Sequence, residues 1–491
     1  MKPILPTLLI CILFSGAAMA QASGDTTTTF TLDNCIRYAL ENTVEIKNAR
    51  VDQQIAQAKV KETTGLGLPQ ISGSVTLQHN QKLSPFFANY ATAQGFAGKN
   101  PDGSQKLDLG LEPGDIVASP NFFQLPSSGN ASLNINQLLF STTYLVGLKA
   151  ASTYRELSQR SQARTEVQVV EKVIKAYYAV LVNNERIGLF DNNIARVDSL
   201  LRNTAALNKN GFAEEIDVDR IQVTLNNLKA ERLKFLNLQS LSLGLLKYQM
   251  NYPMDKEMNV TGELDEFVID ENSIDDYQQG WDYKNRVEYR LLETQRELYK
   301  LDVKNKNSNS HPSLSGFVNM GYITQSPTIG GIFKTNTSIS ETSLGGPDKW
   351  YPFSLYGITL NVPIFSGLQR NYQTQQAKLT LLKTENEFIS LRQTIDLGIQ
   401  QNTTSYKNAV ETVKSQRENM ALAEKVAKIT KIKYEQGVGS NIEVIDAESS
   451  LRESQVNYYN ALFDAITSKT DVDAAYGKID PSKYVSAAQT K

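Results

Sequence analysis

Apolar positions along this chain follow two different periods, and the two trade places twice. Val173, Ala176, Val180, Asn183, Ile187, Phe190, Ile194, Val197 and Leu201 step by threes and fours, the spacing of a coiled-coil seam. Farther on, Val413, Met420, Ala427 and Tyr434 recur every seven residues, and Val456, Tyr459, Phe463 and Ile466 continue the pattern. No proline interrupts Ser127 to Tyr252 or Ile364 to Asp480. These runs predict long helices over Thr142–Asn208 and Gly367–Glu435, each ~100 Å at 1.5 Å per residue. Helices of that length build a rigid coiled coil and do not fold back into a globule.

Between the helical runs the period drops to two. Ile71, Gly73, Val75 and Leu77 alternate with Ser72, Ser74, Thr76 and Gln78, and Leu133 and Ile135 with Asn134 and Asn136. Leu314, Gly316, Val318 and Met320 alternate with Ser315, Phe317 and Asn319; Ile358, Leu360, Val362 and Ile364 alternate with Thr359, Asn361 and Pro363. Strict alternation predicts strands with one oily and one polar face, over about 70–80, 131–140, 312–323 and 356–364. Pro363 lacks a ladder donor and should end the last of them. The connections within each pair, roughly Asn80–Asn130 and Thr324–Tyr356, are long and rich in Gly, Pro, Ser and Asn.

The two rounds of helix and strand also match in sequence. Asn42–Glu45 (Asn-Thr-Val-Glu) lies over Asn285–Glu288 (Asn-Arg-Val-Glu), and the same offset of 243 sets Pro69–Val75 over Pro312–Val318. Ile135–Ser141 lies over Leu360–Ser366 at an offset of 225, and Gly211 with Ile216-Asp217-Val218 over Gly437 with Ile442-Glu443-Val444 at 226. Matched landmarks in one order predict a tandem repeat. The expected organisation is a signal peptide over 1–20, a first structural repeat over 21–250 and a linker or equatorial segment over 251–282. A second repeat over 283–477 and a C-terminal tail over 478–491 complete it.

The signal peptide is read from Met1-Lys2, an apolar stretch from Ile4 to Phe14 and Ala18-Met19-Ala20. A membrane anchor is the alternative, but polar residues follow at once. Cys35 is then the one cysteine left, so no internal disulfide is expected. The 50 Lys and Arg nearly balance the 52 Asp and Glu, which gives no compositional case for nucleic acid. Two histidines, His79 and His311, and one cysteine make no standard zinc site, and no cofactor is expected. Gly-x-Ser-x-Gly, phosphate-loop and His-Glu-x-x-His motifs are all missing, so nothing points to an enzyme.

Long loops at one end of the strands and direct entry into helices at the other fit an outer-membrane β-barrel; the soluble alternative is a small sandwich. Four strands cannot close a barrel, and open edges in lipid cost several kcal/mol per unsatisfied group. Other copies of the chain must complete it. Two copies give eight strands and a filled interior; three give twelve and room for a pore.

At this point the chain resembles the TolC-like outer-membrane efflux proteins, the outer-membrane factors of tripartite efflux and type I secretion. The resemblance rests on Cys35–Leu40, the two Pro-x-(Ile/Leu)-Ser-Gly segments, Asn361–Gly367, and the Gly turns with their downstream Ile-Asp-Val and Ile-Glu-Val. It implies an α+β membrane protein and a homotrimer. Four strands per protomer, twelve in the trimer, would form a barrel in outer-membrane lipid, continuous with a long α-helical coiled-coil barrel through the periplasm. It further implies passive export without chemistry on the cargo. The implied partners are a periplasmic adaptor (membrane fusion) protein and an inner-membrane transporter of RND, ABC or MFS type. Drugs, metals, polypeptides and polysaccharides all remain open as cargo. A periplasmic coiled-coil adaptor or spacer without a barrel is the competing class; it accounts for the helices and export signal but not for the strands.

In the family the two Gly turns form the periplasmic tip, which meets the adaptor. The residues here are Gly211, Phe212 and Ala213, and Gly437, Val438 and Gly439; the first turn also carries Glu214 and Glu215. A plain helix–turn–helix cap is the bland reading of both. Beyond the second turn Glu443 and Asp446 share one helical face, where acids also favour a helix N-terminus through its dipole, each worth ~0.3–1 kcal/mol. Repeated three times around an axis, they would form cation-attracting rings. By the resemblance Glu443 and Asp446 line a periplasmic gate, and Asp217 and Tyr434 help hold it shut. The family's arginine would fall near Gly439, so Arg220 is the candidate substitute.

Overall fold

The computed structural model describes residues 28–484 except 105, 120, 122–123, 263, 265–279, 335 and 338–348. The expected signal peptide, part of the 251–282 linker and residues 485–491 of the tail lie outside the described residues. The fold is mostly helical with a smaller strand component, and it divides into two compact units.

One unit comprises Asn48–Thr165 and Trp281–Leu397. Its centre is an antiparallel sheet of four long strands, β2 (Gln70–His79), β5 (Ser127–Ser141), β7 (Ser313–Ser326) and β9 (Lys349–Asn361), in that order. Direct pairing puts Ile71 opposite Ile135, Ile135 opposite Val318, and Val318 opposite Tyr356, so one oily face runs across all four strands. Among the described residues nothing covers it: Val75 is 72% exposed, Tyr356 81% and Ile358 69%. β9 stops at Asn361, two residues before Pro363 and three short of the expected end at 364, and its start extends back to Lys349. Among the described residues the short strand β8 (Asn336–Thr337) pairs with Lys349 and Trp350, and no other strand pairs the outer edge of β9 or that of β2.

Helix α2 (Val44–Gly65) runs into β2, and α6 (Val287–Ser308) into β7, through connections of a few residues; β5 runs straight into α4 (Thr142–Lys209). The opposite ends of the strands carry the long connections. The first of these is more ordered than its Gly- and Pro-rich sequence suggests. It holds a ribbon of β3 (Phe86–Asn89) with β4 (Ile116–Ser119), and a short α3 (Tyr90–Ala97), around Tyr90, Ala93, Val117 and Leu107. Tyr90 supplies the link: its hydroxyl donates to the Leu107 carbonyl at 3.2 Å and accepts from the Leu109 amide at 2.5 Å.

The other unit comprises Met1–Lys47, Glu166–Gly280 and Gly398–Lys491. It contains the later part of α4, α5 (Glu215–Met250), the later part of α8 (Gln369–Glu435), and α9 (Asn441–Ala475). At one end α1 (Leu32–Asn42) buries Cys35, Ile36, Ala39 and Leu40 against Val173, Val180, Leu246, Leu462 and Ile466. There β1 (Thr28–Phe30) pairs in parallel with β6 (Met258–Val260). Burial pushes the Cys35 thiol up to about 12.

The seam in α4 buries Val173, Ala176, Val180, Phe190 and Val197, as its spacing predicts, and adds Asn193, Leu200 and Thr204. In α8 the seven-residue step extends back to Tyr406, fully buried, and through Val413 and Ala427. A second set of apolar residues faces outward. On α8 these are Leu422, Val426, Ile429 and Ile432; on α5 they include Val223, Leu233, Leu241 and Tyr248.

Candidate functional site

The two Gly turns lie in the helical unit and end their helices by the same device. Gly211 (φ 74°) and Gly437 (φ 77°) adopt the left-handed conformation that a side chain disfavours. In the first turn the Phe212 amide donates back to the Leu207 carbonyl and the Gly211 amide to Asn208, both at 2.9 Å. In the second the Val438 amide donates to Lys433 at 3.0 Å and the Gly437 amide to Tyr434 at 2.9 Å. These are paired Schellman closures, which satisfy the last carbonyls of a helix. The residue after each glycine points away from the protein: Phe212 is 80% exposed and Val438 75%. The Asn208 side-chain amide donates to the Ala213 carbonyl and fixes the first turn at 2.9 Å. A Cβ on Gly439 would stand 3.1 Å from the Tyr434 amide nitrogen, so a side chain there needs the helix end to give by a few tenths of an ångström.

The return helices start differently. Ser440 caps α9 by accepting from the Glu443 amide at 3.4 Å, and Ser440-x-x-Glu443 is a capping-box sequence. Glu214 begins α5 with no side-chain cap. The two turns are tied by Asn441, which is buried and whose amide donates to the Asp217 carbonyl at 3.1 Å.

Of the five candidate gate residues the structure brings together Asp217 and Arg220, at 3.8 Å along α5. Tyr434 makes a different contact: its hydroxyl and that of the fully buried Thr204 share a hydrogen bond of 2.9 Å, joining α8 to α4. Glu443 and Asp446 are both exposed and, among the described residues, form no ion pair. Val444, between them in sequence, is buried with Ile221, Leu225, Phe190 and Val197, which fixes which face of α9 the two acids occupy.

Sequence reasoning missed a polar network one to two turns deeper. Arg196 on α4 directs its Nε to both carboxylate oxygens of Glu448 on α9, at 3.3 and 3.2 Å. Its guanidinium also donates to Asn193, whose amide reaches Gln455 at 3.2 Å. Glu448 is 9% exposed. The signal was available: Val444, Ala447 and Leu451 make a three–four seam, and Glu448 sits within it. Among the described residues no group of three or more His, Cys, Asp and Glu side chains is placed to hold a metal ion, and no helix is long and apolar enough to cross a membrane.

A family model described as outer membrane efflux protein matches residues 324–478. The chain is 19% identical to the outer membrane protein TolC of Vibrio cholerae over 353 residues, 71% of this chain and 77% of that one. It is 20% identical to the probable efflux pump outer membrane protein TtgC of Pseudomonas putida, over 67% of this chain and 64% of that one. The structure superposes on that of the outer membrane protein VceC of Vibrio cholerae with a TM-score of 0.65, at 13% identity, over 91% of this chain and 96% of that one. Over these spans the chain is similar to TolC-like outer-membrane efflux proteins. The outer membrane is the address in the names of all three relatives, and it agrees with the expectation from sequence. A partial match to the acetate kinase of Flavobacterium johnsoniae, 24% identical over 182 residues, covers 35% of this chain. It leaves out most of the TolC-like architecture and gives no ground for reading an enzyme.

Proposed function

We propose that this chain is the outer-membrane exit channel of a tripartite efflux or type I secretion system, conducting cargo passively and gated at its helical tip. The observation that carries the reading is the sheet: four long antiparallel strands with, among the described residues, two open edges and one uncovered oily face. In water such a sheet invites aggregation, and in lipid its open edges leave backbone groups unsatisfied. Pairing β9 of one copy with β2 of the next removes both edges, and three copies give a twelve-stranded barrel with the oily face toward lipid. The outward apolar residues of α5 and α8 would be covered in the same trimer, as in a coiled coil whose partners are further copies. The order helix, strand, strand, long helix, return helix runs through α2, β2, β5, α4 and α5, and again through α6, β7, β9, α8 and α9, as a tandem duplication would have it.

At the tip, Glu443 and Asp446 become rings of three acids around the threefold axis, a cation-preferring constriction. Asp217 with Arg220, and Tyr434 with Thr204, hold it closed. The exposed Phe212 and Val438 present an apolar contact to a periplasmic adaptor, which links the channel to an inner-membrane transporter. The first test is the protein mass of the detergent-extracted species by light scattering, with detergent subtracted. Three times the processed chain is expected; a monomer, or a species soluble without detergent, would return the chain to the spacer reading. In planar bilayers, Glu443→Gln with Asp446→Asn should then lower cation selectivity, and unchanged selectivity and conductance would remove the gate assignment.

A further inference from the structure

We infer that the polar face of the four-stranded sheet is an electrically neutral wall, so that the membrane segment of the passage admits solutes of either charge sign. The inference rests on the channel reading above. About one residue in five of the whole chain is charged (21%), yet β2, β5, β7 and β9 contain a single charged residue, Lys349. Lys349 is the first residue of β9, at the end of the sheet where β8 pairs. Register places Ser74 opposite Ser132, Ser72 opposite Asn134, and Asn134 opposite Asn319, all on the face away from the oily one. Their polar groups partly satisfy one another: Ser74 and Ser132 share a hydrogen bond of 3.0 Å, and Asn134 donates to Ser132 at 3.5 Å. Hydroxyls and carboxamides both donate and accept, so the wall can hydrate or bind cationic, anionic and neutral groups alike.

Pores acquire sign selectivity from rings of like charge. Strand alternation puts Lys349 on the same face, but past the last β7–β9 pair, Ile323 with Tyr351, so three copies would set a ring of lysines at the sheet's end and none within its paired length. Sign preference must then arise at that end or outside the sheet, and cargo passing the paired length is sorted by size and by hydrogen bonding. This separates the two parts of the passage by chemistry: a wall blind to charge in the membrane, and acids at the helical tip.

The test uses cysteine substitutions in the trimer within native outer membranes. Cys35 is buried and supplies a silent background. Ser74→Cys and Asn134→Cys are treated with a cationic and an anionic methanethiosulfonate of similar size, each rate being divided by that for free cysteine. A neutral wall gives normalised rates for the two reagents that agree within about two-fold at 0.1 M salt. A preference of about ten-fold or more for either sign at both positions would overturn the proposal. Val75→Cys, on the oily face, should resist both reagents; labelling at Val75 with protection at Ser74 would mean that the other face lines the passage, and would also overturn it. Equal labelling at Ser74 and Val75 in detergent-free, membrane-free protein would instead show that the channel reading itself fails, and the neutral wall with it.

Discussion

Removing the Tyr434 hydroxyl should open the tip, and the size of the effect can be worked from its surroundings. Tyr434→Phe deletes one hydroxyl and leaves the ring packed against Phe190, Val197, Ile221 and Val444. The Thr204 hydroxyl, fully buried, loses its 2.9 Å partner. A hydrogen bond of this kind contributes about 1 kcal/mol net. Three tips that move together would lose about 3 kcal/mol, which raises the open-to-closed ratio about 100-fold. Open probability of purified trimers in planar bilayers reads that ratio directly. The double variant Thr204→Val with Tyr434→Phe supplies the internal control. Taking away both partners leaves no unsatisfied group, so its effect should fall well below the sum of the two single variants. Additive effects, or an open probability unchanged by Tyr434→Phe, would refute the claim that this bond holds the tip closed.

Three further outcomes follow from other residues. Arg196→Met strands the nearly buried Glu448 carboxylate and should destabilise the helix packing by about 1–3 kcal/mol, reduced from the fully buried case because Arg196 is one-third exposed; the double variant with Glu448→Met should recover most of that. The temperature at which the trimer dissociates in mild detergent checks this, and no recovery in the double variant would count against a charge-pair origin. Because burial raises Cys35 from 9.0 to about 12, the folded state keeps the thiol protonated while the unfolded chain ionises. Its share of the stability is therefore intact below pH 9 and is lost from there to about pH 12, at ~1.4 kcal/mol per pH unit; denaturation of wild type and Cys35→Ala across this window should diverge, and parallel curves would contradict it. Val75→Arg puts a charge on the oily face and should cost about 2–4 kcal/mol if it lies at mid-membrane, lowering the amount of assembled protein in the outer membrane, whereas Ser74→Arg should assemble.

What could be read in the sequence was what one element decides for itself. Period two marked all four long strands because each residue's face is set by its own strand, and Pro363 bounded β9, which stops two residues before it, because the missing donor is local. The seven-residue step through Val413, Met420 and Ala427 located a buried stripe on α8, and Gly211 and Gly437 located the two turns, because a left-handed residue is a requirement of the turn itself. The β3–β4 ribbon was hidden within a run rich in turn formers, since its order depends on Tyr90 reaching Leu107 and Leu109 across its own loop. Contacts between elements were likewise out of reach. Tyr434 was singled out by the resemblance, yet its partner, Thr204, is 230 residues away and became visible only once α4 and α8 were packed. Glu448 carried a legible signal of its own. An acid in a seam bounded by Val444, Ala447 and Leu451 cannot stay charged and buried without a cation, so some Arg or Lys on a facing helix was required. The pattern states the demand; only packing shows that Arg196 meets it. The oily face of the sheet and the outward leucines and valines of α5 and α8 are demands of the same kind, and further copies of this chain can meet them all at once.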